Sequence, residues 1–413
     1  MGSYHTPLDL VRERSPERPV ALVRHDAVAL AARWFQDNFK GDVLYAVKAN
    51  PSPWVIETLA AGGVTAFDVA SIPEIELVKA HAPGARIGFM HPVKSRAAIG
   101  QAYFDFGVRT FAFDTMEELD KLVDVTGDAK DLNLIVRLGV ETAGAAYSLA
   151  GKFGVDAPEA PPLLLAARRA TDELMGISFH VGSQCMRPSA FQAAMAQASR
   201  ALVRAGVFAD VIDVGGGFPS VYPGMIPPDL TEYLAAIERG FGEMMVHETT
   251  ELWCEPGRAL VAEGSSLLTR VELRKGEALY LNDGAYGALF DAAHTKWPFP
   301  VKLHRADGDG AANLKPFRFF GPTCDSLDAM PGPFWLPEDV REGDYVEIGM
   351  LGAYGVAMSS RFNGFGDIET VEVDDSPMLS MFGLGPRTVP TPKSETADVV
   401  KLSRARGRKR RRR

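Results

Sequence analysis

The amino-acid sequence predicts an α/β fold, a (β/α)8 TIM barrel with a second, mainly antiparallel β-barrel or sandwich domain. Three observations support this prediction. Between residues 43 and 255, eight short apolar runs alternate with longer segments whose apolar residues recur at helical spacing. Polar residues or glycines lie at or just after the C-terminal ends of all eight runs. Beyond about residue 263, short strand-like runs are separated by turns rich in Gly and Pro, without long helices.

The eight apolar runs are the predicted barrel strands. They are Val43–Val47, Ala66–Val69, Ile87–Met90, Thr110–Phe113, Asn133–Leu138, Met175–Phe179, Val211–Val214 and Glu251–Cys254. Helical spacing is clear in the segments Ile72–His81, Met116–Val125, Pro188–Ala205 and Asp229–Val246. Eight such units in succession are what a closed parallel barrel requires.

Shorter strands are predicted in the remainder of the chain. They are Leu267–Leu273, Ala278–Leu281, Phe317–Phe320, Tyr345–Ile348 and Glu369–Val373. Pro19–Val23 precedes the first barrel unit and is also strand-like, so we expect it to pair with this second domain. We therefore expect residues 27–262 to form the barrel, and residues 1–26 with 263–385 to form the β domain. Residues 386–413 are predicted to be a disordered tail that ends in a basic run.

Composition narrows the class of protein. No apolar run approaches the ~18 residues that a membrane helix needs, and no signal peptide precedes the first strand, so we expect a cytoplasmic protein without membrane contact. The three cysteines lack CxxC spacing, and the eight histidines show no HExxH pattern, so no disulfide framework and no metal site are predicted. Each cysteine, taken alone, is most simply a buried apolar thiol.

Charge is distributed unevenly along the chain. Residues 401–413 contribute nine positive charges to a net charge of −9, so the rest of the chain carries −18. An acidic body attracts small cations, which favours a cationic substrate. The basic tail carries no aromatic residues for base stacking, and nucleic-acid binding is not expected.

Residues able to carry chemistry lie at or just after the predicted strand ends, which converge on one face of a barrel. They are Lys48, Asp68, His91, Asp114, Arg137, His180, Gly215 to Gly217 and Glu255. A lysine in such a setting is expected to have a lowered pKa, which Schiff-base chemistry needs, although a single lysine is usually a solvated charge.

Three segments indicate an anion site beside a ring. Bare glycine backbone after Asp213-Val214 lets amide groups approach a phosphate, and neither GxxxxGK[ST] nor GxGxxG is present. Glu255-Pro256-Gly257-Arg258 adds a carboxylate for a pyridine nitrogen and a guanidinium for phosphate. The imidazole of His180 can stack on a ring while Ser183 binds phosphate. An unliganded turn, a surface ion pair and a core histidine are the alternatives for these segments.

Six motifs in order resemble those of the fold-type III ornithine/diaminopimelate/arginine decarboxylases. They are Tyr45–Pro51, His180–Gln184, Asp213–Pro219, Glu255–Arg258, Gly321–Asp328 and Gly352–Gly355. The resemblance extends to about residue 385. It implies an alanine-racemase-like barrel, a C-terminal β domain, the cofactor pyridoxal 5′-phosphate and a homodimer with shared active sites.

The resemblance also assigns roles to residues. It implies that Lys48 holds the cofactor, that His180 stacks on its ring and that Glu255 pairs with the pyridine nitrogen. Asp68 and Arg137 match supporting positions. Cys324, contrary to the first expectation, becomes the proton donor from the partner subunit. The phosphate is expected to contact Ser183, Gly215, Gly216, Gly217, Gly257, Arg258 and Tyr354.

The substrate is expected to be a basic amino acid. The sequence Cys324-Asp325-Ser326-Leu327-Asp328 differs from the Cys-Glu-Ser-Gly-Asp typical of diaminopimelate decarboxylases, and its acids would repel a second carboxylate. In the ornithine decarboxylase branch, which the chain resembles more, Asp291 and Asp325 receive the distal ammonium, and Tyr286 and Phe362 line the pocket.

We therefore predict conversion of L-ornithine to putrescine and CO2, with L-lysine, giving cadaverine, as a second substrate. One methylene separates the two and is worth only ~1–3 kcal/mol of discrimination. Diaminopimelate or arginine as the substrate and a non-catalytic regulatory paralogue remain alternatives. An amino-acid racemase would not need the Cys324 motif, and a single-domain cofactor carrier would not need the β domain.

Overall fold

The computed structural model of the protein describes residues 2–141, 144–147, 151–295 and 297–388. Its strands are β1 (Ser3–Tyr4), β2 (Val20–Val23), β3 (Asp42–Ala46), β4 (Ala66–Val69), β5 (Arg86–Phe89), β6 (Thr110–Phe113), β7 (Asn133–Gly139), β8 (Ala145–Tyr147), β9 (Val155–Asp156), β10 (Met175–Ser178), β11 (Ser183–Cys185), β12 (Val211–Asp213), β13 (Glu251–Cys254), β14 (Ser265–Lys275), β15 (Ala278–Leu281), β16 (Val301–His304), β17 (Leu314–Phe320), β18 (Ala329–Pro337), β19 (Tyr345–Ile348) and β20 (Glu369–Val373).

The helices are α1 (Pro7–Arg14), α2 (His25–Asn38), α3 (Pro53–Ala61), α4 (Ile72–His81), α5 (Arg96–Gly100), α6 (Met116–Thr126), α7 (Ala160–Ala170), α8 (Ser189–Ala205), α9 (Leu230–Gly242), α10 (Arg258–Val261) and α11 (Phe290–His294). Among the described residues, none of these helices combines the length and the apolar character needed to cross a membrane.

Eight parallel strands close into a barrel, as the sequence predicts. The strand order is β10-β12-β13-β3-β4-β5-β6-β7, and β7 pairs in parallel with β10 to complete the circle. Every predicted barrel strand is present within one residue at each end. Helices pack outside the barrel because their apolar stripes need a surface to cover, and α8 for example buries Phe191, Met195 and Leu202.

The barrel interior changes from apolar to polar along the strands. Since side chains alternate, residues two positions apart on a strand point to the same side. One inward set is a buried apolar cluster, and the set two residues further along is mostly polar. The apolar set includes Leu44, Ala66, Ala112, Ile135, Val211 and Trp253, and the following set Ala46, Asp68, Asp114, Arg137, Asp213 and Glu255. The alternation therefore places charged groups at the C-terminal mouth.

The second sheet is mainly antiparallel, with strand order β1-β20-β2-β14-β15-β17-β18 and with β19 pairing to β14 and β16. The expectation that Pro19–Val23 joins this sheet is confirmed, since β2 pairs with β14 and β20. Strands β16 and β18 were not predicted. Strand β18 contains Pro331-Gly332-Pro333, a turn-like sequence, and is tolerated because it pairs only with β17 at the sheet edge.

Sheet membership does not locate a domain boundary to the residue, so the division at residues 26/27 and 262/263 stays a prediction. Most of the predicted tail, residues 389–413, lies outside the described residues.

A buried charge network joins four strands of the second sheet. Arg24 Nη2 donates to Glu347 Oε1 at 2.9 Å and Arg24 Nη1 to Ser266 Oγ at 2.9 Å. His304 Nε2 lies 2.8 Å from Glu347 Oε2. Burial alone would raise the pKa of Glu347, but the His304 hydrogen bond and the Arg24 charge lower it to about 2. The network therefore holds a carboxylate that is ionised at neutral pH inside the sheet.

We predict that Arg24→Ala lowers the free energy of unfolding by about 3–5 kcal/mol, because Glu347 would remain buried without its main cation. Urea unfolding would measure the change. Arg14→Ala is the control, since its partner Glu369 is at the surface, where an ion pair contributes about 0–1 kcal/mol. Equal losses in both variants would contradict the prediction.

The pH dependence has a definite sign. Folding lowers the pKa of Glu347 from 4.5 to about 2, so its stabilising contribution is complete above about pH 4.5 and is lost as the pH falls toward 2. The wild type should lose stability across this range, whereas Arg24→Ala should lose less.

Candidate active site

Lys48 lies at the mouth of the barrel in a short 3-10 turn, Val47–Ala49, that directly follows β3. Its Nζ donates to Asp68 Oδ2 at 3.0 Å on the adjacent strand β4. The register that pairs Ala46 with Asp68 brings these groups together. The lysine side chain is 47% accessible because it points into an open pocket, whereas Asp68 is 4% accessible. The amine is thus accessible to a small molecule, while its hydrogen bond to Asp68 fixes its position on one side.

The expected lowering of the Lys48 pKa is wrong for this pocket. Burial among the surrounding strands lowers the pKa, but the negative charges of Asp68 and Glu255 outweigh it, and the pKa lies above the ordinary lysine value. The sequence argument considered the barrel mouth without the carboxylates that the neighbouring strands contribute. Without another cation or ligand in the pocket, the amine is protonated at neutral pH.

The cofactor pocket, as we name it, lies around Lys48. It is lined by Ala46, Lys48, His180, Ser183, Gly216, Gly217, Phe218, Glu255, Gly257, Arg258 and Tyr354. Nine of the twelve residues predicted to bind the cofactor are in this lining. The other three adjoin it: Asp68 binds Lys48, Arg137 lies 3.9 Å from Glu255, and Gly215 precedes Gly216. The residues predicted from the sequence to bind the cofactor therefore lie together around one pocket.

The glycine run provides bare backbone to the pocket. A Cβ atom at Gly216 would lie 2.7 Å from the Glu255 carbonyl oxygen and 3.1 Å from His180 Nε2. Gly217 has φ of +104°, a conformation that other residues rarely adopt. The space beside His180 and Glu255 consequently exists only because residue 216 has no side chain.

His180 presents a neutral ring to this space. Its Nδ1 accepts a hydrogen bond from Gly182 N at 2.9 Å, which places the ring proton of the neutral form on Nε2. Burial, with the positive charges of Arg137 and Lys48, lowers the pKa of His180 well below its ordinary value. A flat, uncharged imidazole is suited to stacking on an aromatic ring.

Arg258 is a buried cation with an incomplete set of partners. Its Nη1 donates to Asp291 Oδ2 and to Tyr222 OH, each at 2.7 Å. Its Nε is buried and has no hydrogen-bond partner among the described residues. A buried donor without an acceptor suits an anion such as phosphate. Gly216, the neutral His180 and this free Arg258 donor together fit a phosphorylated aromatic aldehyde attached at Lys48.

Asp291 occupies a different setting from the one expected. Its side chain is 9% accessible and its carboxylate faces Arg258. Among the described residues, Asp291 and Asp325 share no hydrogen-bond partner. A role for Asp291 toward the substrate ammonium stays a prediction, and any such contact would have to be shared with Arg258.

A second group of predicted residues, the thiol cluster, comprises Cys324, Asp325, Tyr286 and Phe362 and does not line the cofactor pocket. Tyr286 OH donates to Asp325 Oδ2 at 2.5 Å, and the Tyr286 and Phe362 rings lie 4.8 Å apart. Cys324 Sγ lies 3.2 Å from Asn363 Oδ1 and is exposed, whereas Cys185 and Cys254 are buried as expected.

Three members of the thiol cluster, Tyr286, Cys324 and Asp325, lie on two loops that one buried acid holds together. Asp328 accepts hydrogen bonds from Ala285 N at 2.7 Å and from Thr323 Oγ1 at 2.7 Å. These loops and their neighbour expose large apolar side chains, which are Leu327, Val356, Met358, Phe362 and Phe365. Exposed apolar side chains grouped in this way are typical of a surface that binds another molecule.

Some strand-end residues and some site residues differ from expectation. His91 and Asp114 are outside the cofactor pocket and contact a neighbouring loop, through the Phe153 ring and Gly154 N. Tyr222, which binds Arg258, was missed and carries no sequence signal. The motif Asp213–Pro219 predicts no role for Asp213. Its spacing of two residues from the apolar Val211 indicates that its side chain points into the barrel.

Comparisons with known proteins agree with this site. Residues 25–262 match the family model "Pyridoxal-dependent decarboxylase, pyridoxal binding domain". The chain is 34% identical over 346 residues to the lysine/ornithine decarboxylase of Selenomonas ruminantium, covering 82% of this chain and 85% of that protein. It is 33% identical to antizyme inhibitor 2 of Xenopus laevis, covering 78% and 73%.

Among solved structures, the Paramecium bursaria Chlorella virus arginine decarboxylase bound to agmatine is similar in fold. The TM-score is 0.78 at 28% identity, and the match covers 88% of this chain and 98% of that one.

We predict that Asp68→Asn lowers the pH midpoint for covalent attachment of added pyridoxal phosphate by about 1–3 units, because the Lys48 amine loses its nearest carboxylate. Absorbance of the attached cofactor across a pH series would measure it. Asp114→Asn is the matched control at the same mouth, since Asp114 contacts Gly154 N rather than Lys48. An unchanged midpoint in Asp68→Asn would show that the pair does not govern the amine.

Proposed function

The chain belongs to the pyridoxal-dependent decarboxylases, and from that premise we propose that it converts L-ornithine to putrescine and CO2, with L-lysine as a second substrate. It is a pyridoxal phosphate-dependent decarboxylase of basic amino acids. The observation that supports a substrate with a cationic side chain most directly is Asp325, a carboxylate oriented by Tyr286 and adjacent to the Cys324 thiol.

We assign a task to each group of residues around the cofactor pocket. The Lys48 amine would hold the cofactor aldehyde, the His180 ring would stack on it, and Glu255 would face the ring nitrogen. The cofactor, when bound, supplies an electron sink for the pair released as CO2 leaves. The phosphate would be held by Ser183, Gly215, Gly216, Gly217, Gly257, Arg258 and Tyr354. Asp68 would orient Lys48, and Arg137 would balance the charge of Glu255.

The thiol cluster supports the choice of a cationic side chain. Hydrogen bonds from Leu327 N and Tyr286 OH lower the pKa of Asp325, so it is ionised at neutral pH. A carboxylate here attracts the distal ammonium of ornithine or lysine and repels the second carboxylate of diaminopimelate. Phe362 would pack against the methylene chain of the substrate. Cys324 Sγ would donate a proton to the substrate carbon after CO2 has left.

Arginine and a non-catalytic role are the second candidates. A guanidinium would also be attracted by Asp325, and one structural neighbour is an arginine decarboxylase. One relative is named for inhibiting antizyme rather than for decarboxylation. This chain keeps both Lys48 and Cys324, the two reactive side chains that catalysis needs, which supports an enzyme.

A homodimer would bring the cofactor pocket and the thiol cluster together in one active site. The cofactor pocket lies at the barrel mouth, whereas the thiol cluster is exposed on loops beside an apolar surface. Both are required for the proposed reaction. Two copies of the chain, each placing its thiol cluster over the other's cofactor pocket, would complete two sites and cover the apolar side chains.

We predict that kcat/KM for ornithine exceeds that for lysine by about 10- to 200-fold, the discrimination that one methylene allows. Initial rates of CO2 release on ornithine, lysine, arginine and diaminopimelate would measure it. Asp325→Asn should weaken ornithine use through KM, whereas Asp367→Asn, a surface carboxylate paired with Arg18, should not. A preference for arginine or diaminopimelate over both ornithine and lysine would overturn the assignment.

A shared active site makes a separate prediction. Lys48→Ala and Cys324→Ala should each be inactive alone. When subunits of the two variants are exchanged, activity should return to about a quarter of the wild-type value, because half of the dimers contain one intact site of two. CO2 release after mixing would measure it, with each variant mixed with itself as the control. Persistent inactivity of the exchanged mixture would place both residues in a single-chain site.

A further inference from the structure

Asp213 and Glu255 form a buried carboxyl pair behind the cofactor pocket. Asp213 ends β12 and pairs in register with Trp253 on β13, and Glu255 follows Trp253 by two residues. Both point inward because Val211 and Trp253, two positions earlier, belong to the apolar barrel interior. Asp213 is 0% and Glu255 3% accessible, and each has one buried carboxyl oxygen without a hydrogen-bond partner among the described residues.

One oxygen of each carboxyl group has no hydrogen-bond donor among the described residues. Asp213 Oδ1 accepts a hydrogen bond from Gly215 N at 2.8 Å. Asp213 Oδ2 and Glu255 Oε1 are buried and have no partner among the groups that donate in the described part of the chain. Two ionised carboxylates offer only acceptors and repel each other strongly at low dielectric. A proton between them would satisfy both oxygens.

We propose that Asp213 is a positioning residue that shares one proton with Glu255, so that the pair behaves as one carboxylic acid bound to one carboxylate. The proposal concerns this chain's own residues toward the pyridoxal cofactor and does not depend on which amino acid is the substrate.

The charges around the pair favour one retained proton. The groups facing it are Lys48 on the β3 side, Asp68 on β4, Arg137 on β7 and the neutral His180 after β10. Two cations and three carboxylates would leave one net negative charge. A single proton makes the group neutral. In agreement, burial raises the pKa of Asp213 to about 6, and burial with the Asp213 charge raises that of Glu255 well above its ordinary value.

The shared proton would fix the charge that Glu255 presents to the cofactor. Glu255 Oε2 lies on the side of Arg137, at 3.9 Å from its Nη1. A protonated ring nitrogen that donates to Glu255 would favour the carboxylate charge on Glu255 and move the shared proton to Asp213, which would then donate to Oε1. No proton is gained or lost. Asp213 would thereby keep Glu255 anionic without leaving its inner oxygen unpaired.

Infrared spectroscopy of the wild-type holoenzyme tests the proposal without a variant. We expect a carbonyl-stretch band from a protonated carboxylic acid that persists above pH 6, and this band should shift when aspartate is labelled with ¹³C at its side-chain carboxyl. Absence of any protonated carboxyl band would overturn the proposal. A band that shifts only on labelling of glutamate would also overturn the assignment of the proton to Asp213.

Two isosteric variants extend the test. Asp213→Asn keeps an acceptor for Gly215 N and supplies a permanent N–H donor to Glu255, so the band should disappear while the cofactor Kd changes by less than about threefold. Asp213→Leu removes the donor and should weaken cofactor binding about tenfold or more. Ser178→Ala is the control, because Ser178 pairs with Asp213 in register but its Oγ has no partner among the described groups.

In Ser178→Ala, the band should be retained. Loss of the band there, or its retention in Asp213→Asn, would contradict the shared proton.

Stability provides a readout that needs no cofactor chemistry. The folded pKa of Asp213 is raised from 3.8 to about 6, so its contribution to stability is present below about pH 3.8 and is lost as the pH rises toward 6. Asp213→Asn should remove this slope, and an identical slope would contradict the proposal.

Discussion

The alternation of side chains along eight parallel strands is the constraint on which the site depends. It sends every second residue into the barrel, and near the C-terminal ends these residues become charged. Asp68, Arg137, Asp213 and Glu255 are therefore forced close together with Lys48 in a small buried volume. Their charges are therefore not independent, because the free energy of each charge depends on the others.

Charge balance at the mouth explains several features together. The carboxylates that keep Lys48 protonated also need cations, and Arg137 supplies the second one. A third positive charge is avoided because His180 is neutral. Arg258 lies outside this balance, since Asp291 and Tyr222 already accept its hydrogen bonds. The phosphate of a bound cofactor would add charge near Arg258 and not near Glu255, so the two ends of the pocket can be matched to the two ends of the cofactor.

The barrel, and the position of the candidate cofactor residues at its mouth, were predictable because both follow from the regular spacing of the strands. Strand spacing located the mouth, and Lys48, His180 and Glu255 each follow a strand end at which the chain must meet its neighbours. The Lys48 pKa could not be predicted, since it depends on the register that brings Asp68 within 3.0 Å. The partner of Asp291 was equally hidden, because α11 belongs to the second part of the chain and its approach to α10 is a tertiary contact.

The residues of the thiol cluster are positioned in a different way from those of the cofactor pocket. Barrel residues are positioned by strand register, whereas Cys324 and Asp325 lie on a loop whose position depends on the buried acid Asp328. Loops can change sequence without disturbing a register. A scaffold that holds the cofactor rigidly and presents the proposed proton donor and the proposed substrate carboxylate on loops can therefore keep one chemistry while its substrate changes. Relatives named for lysine, ornithine and arginine are consistent with this division, and the exposed Phe362 is the side chain through which it would act on substrate length.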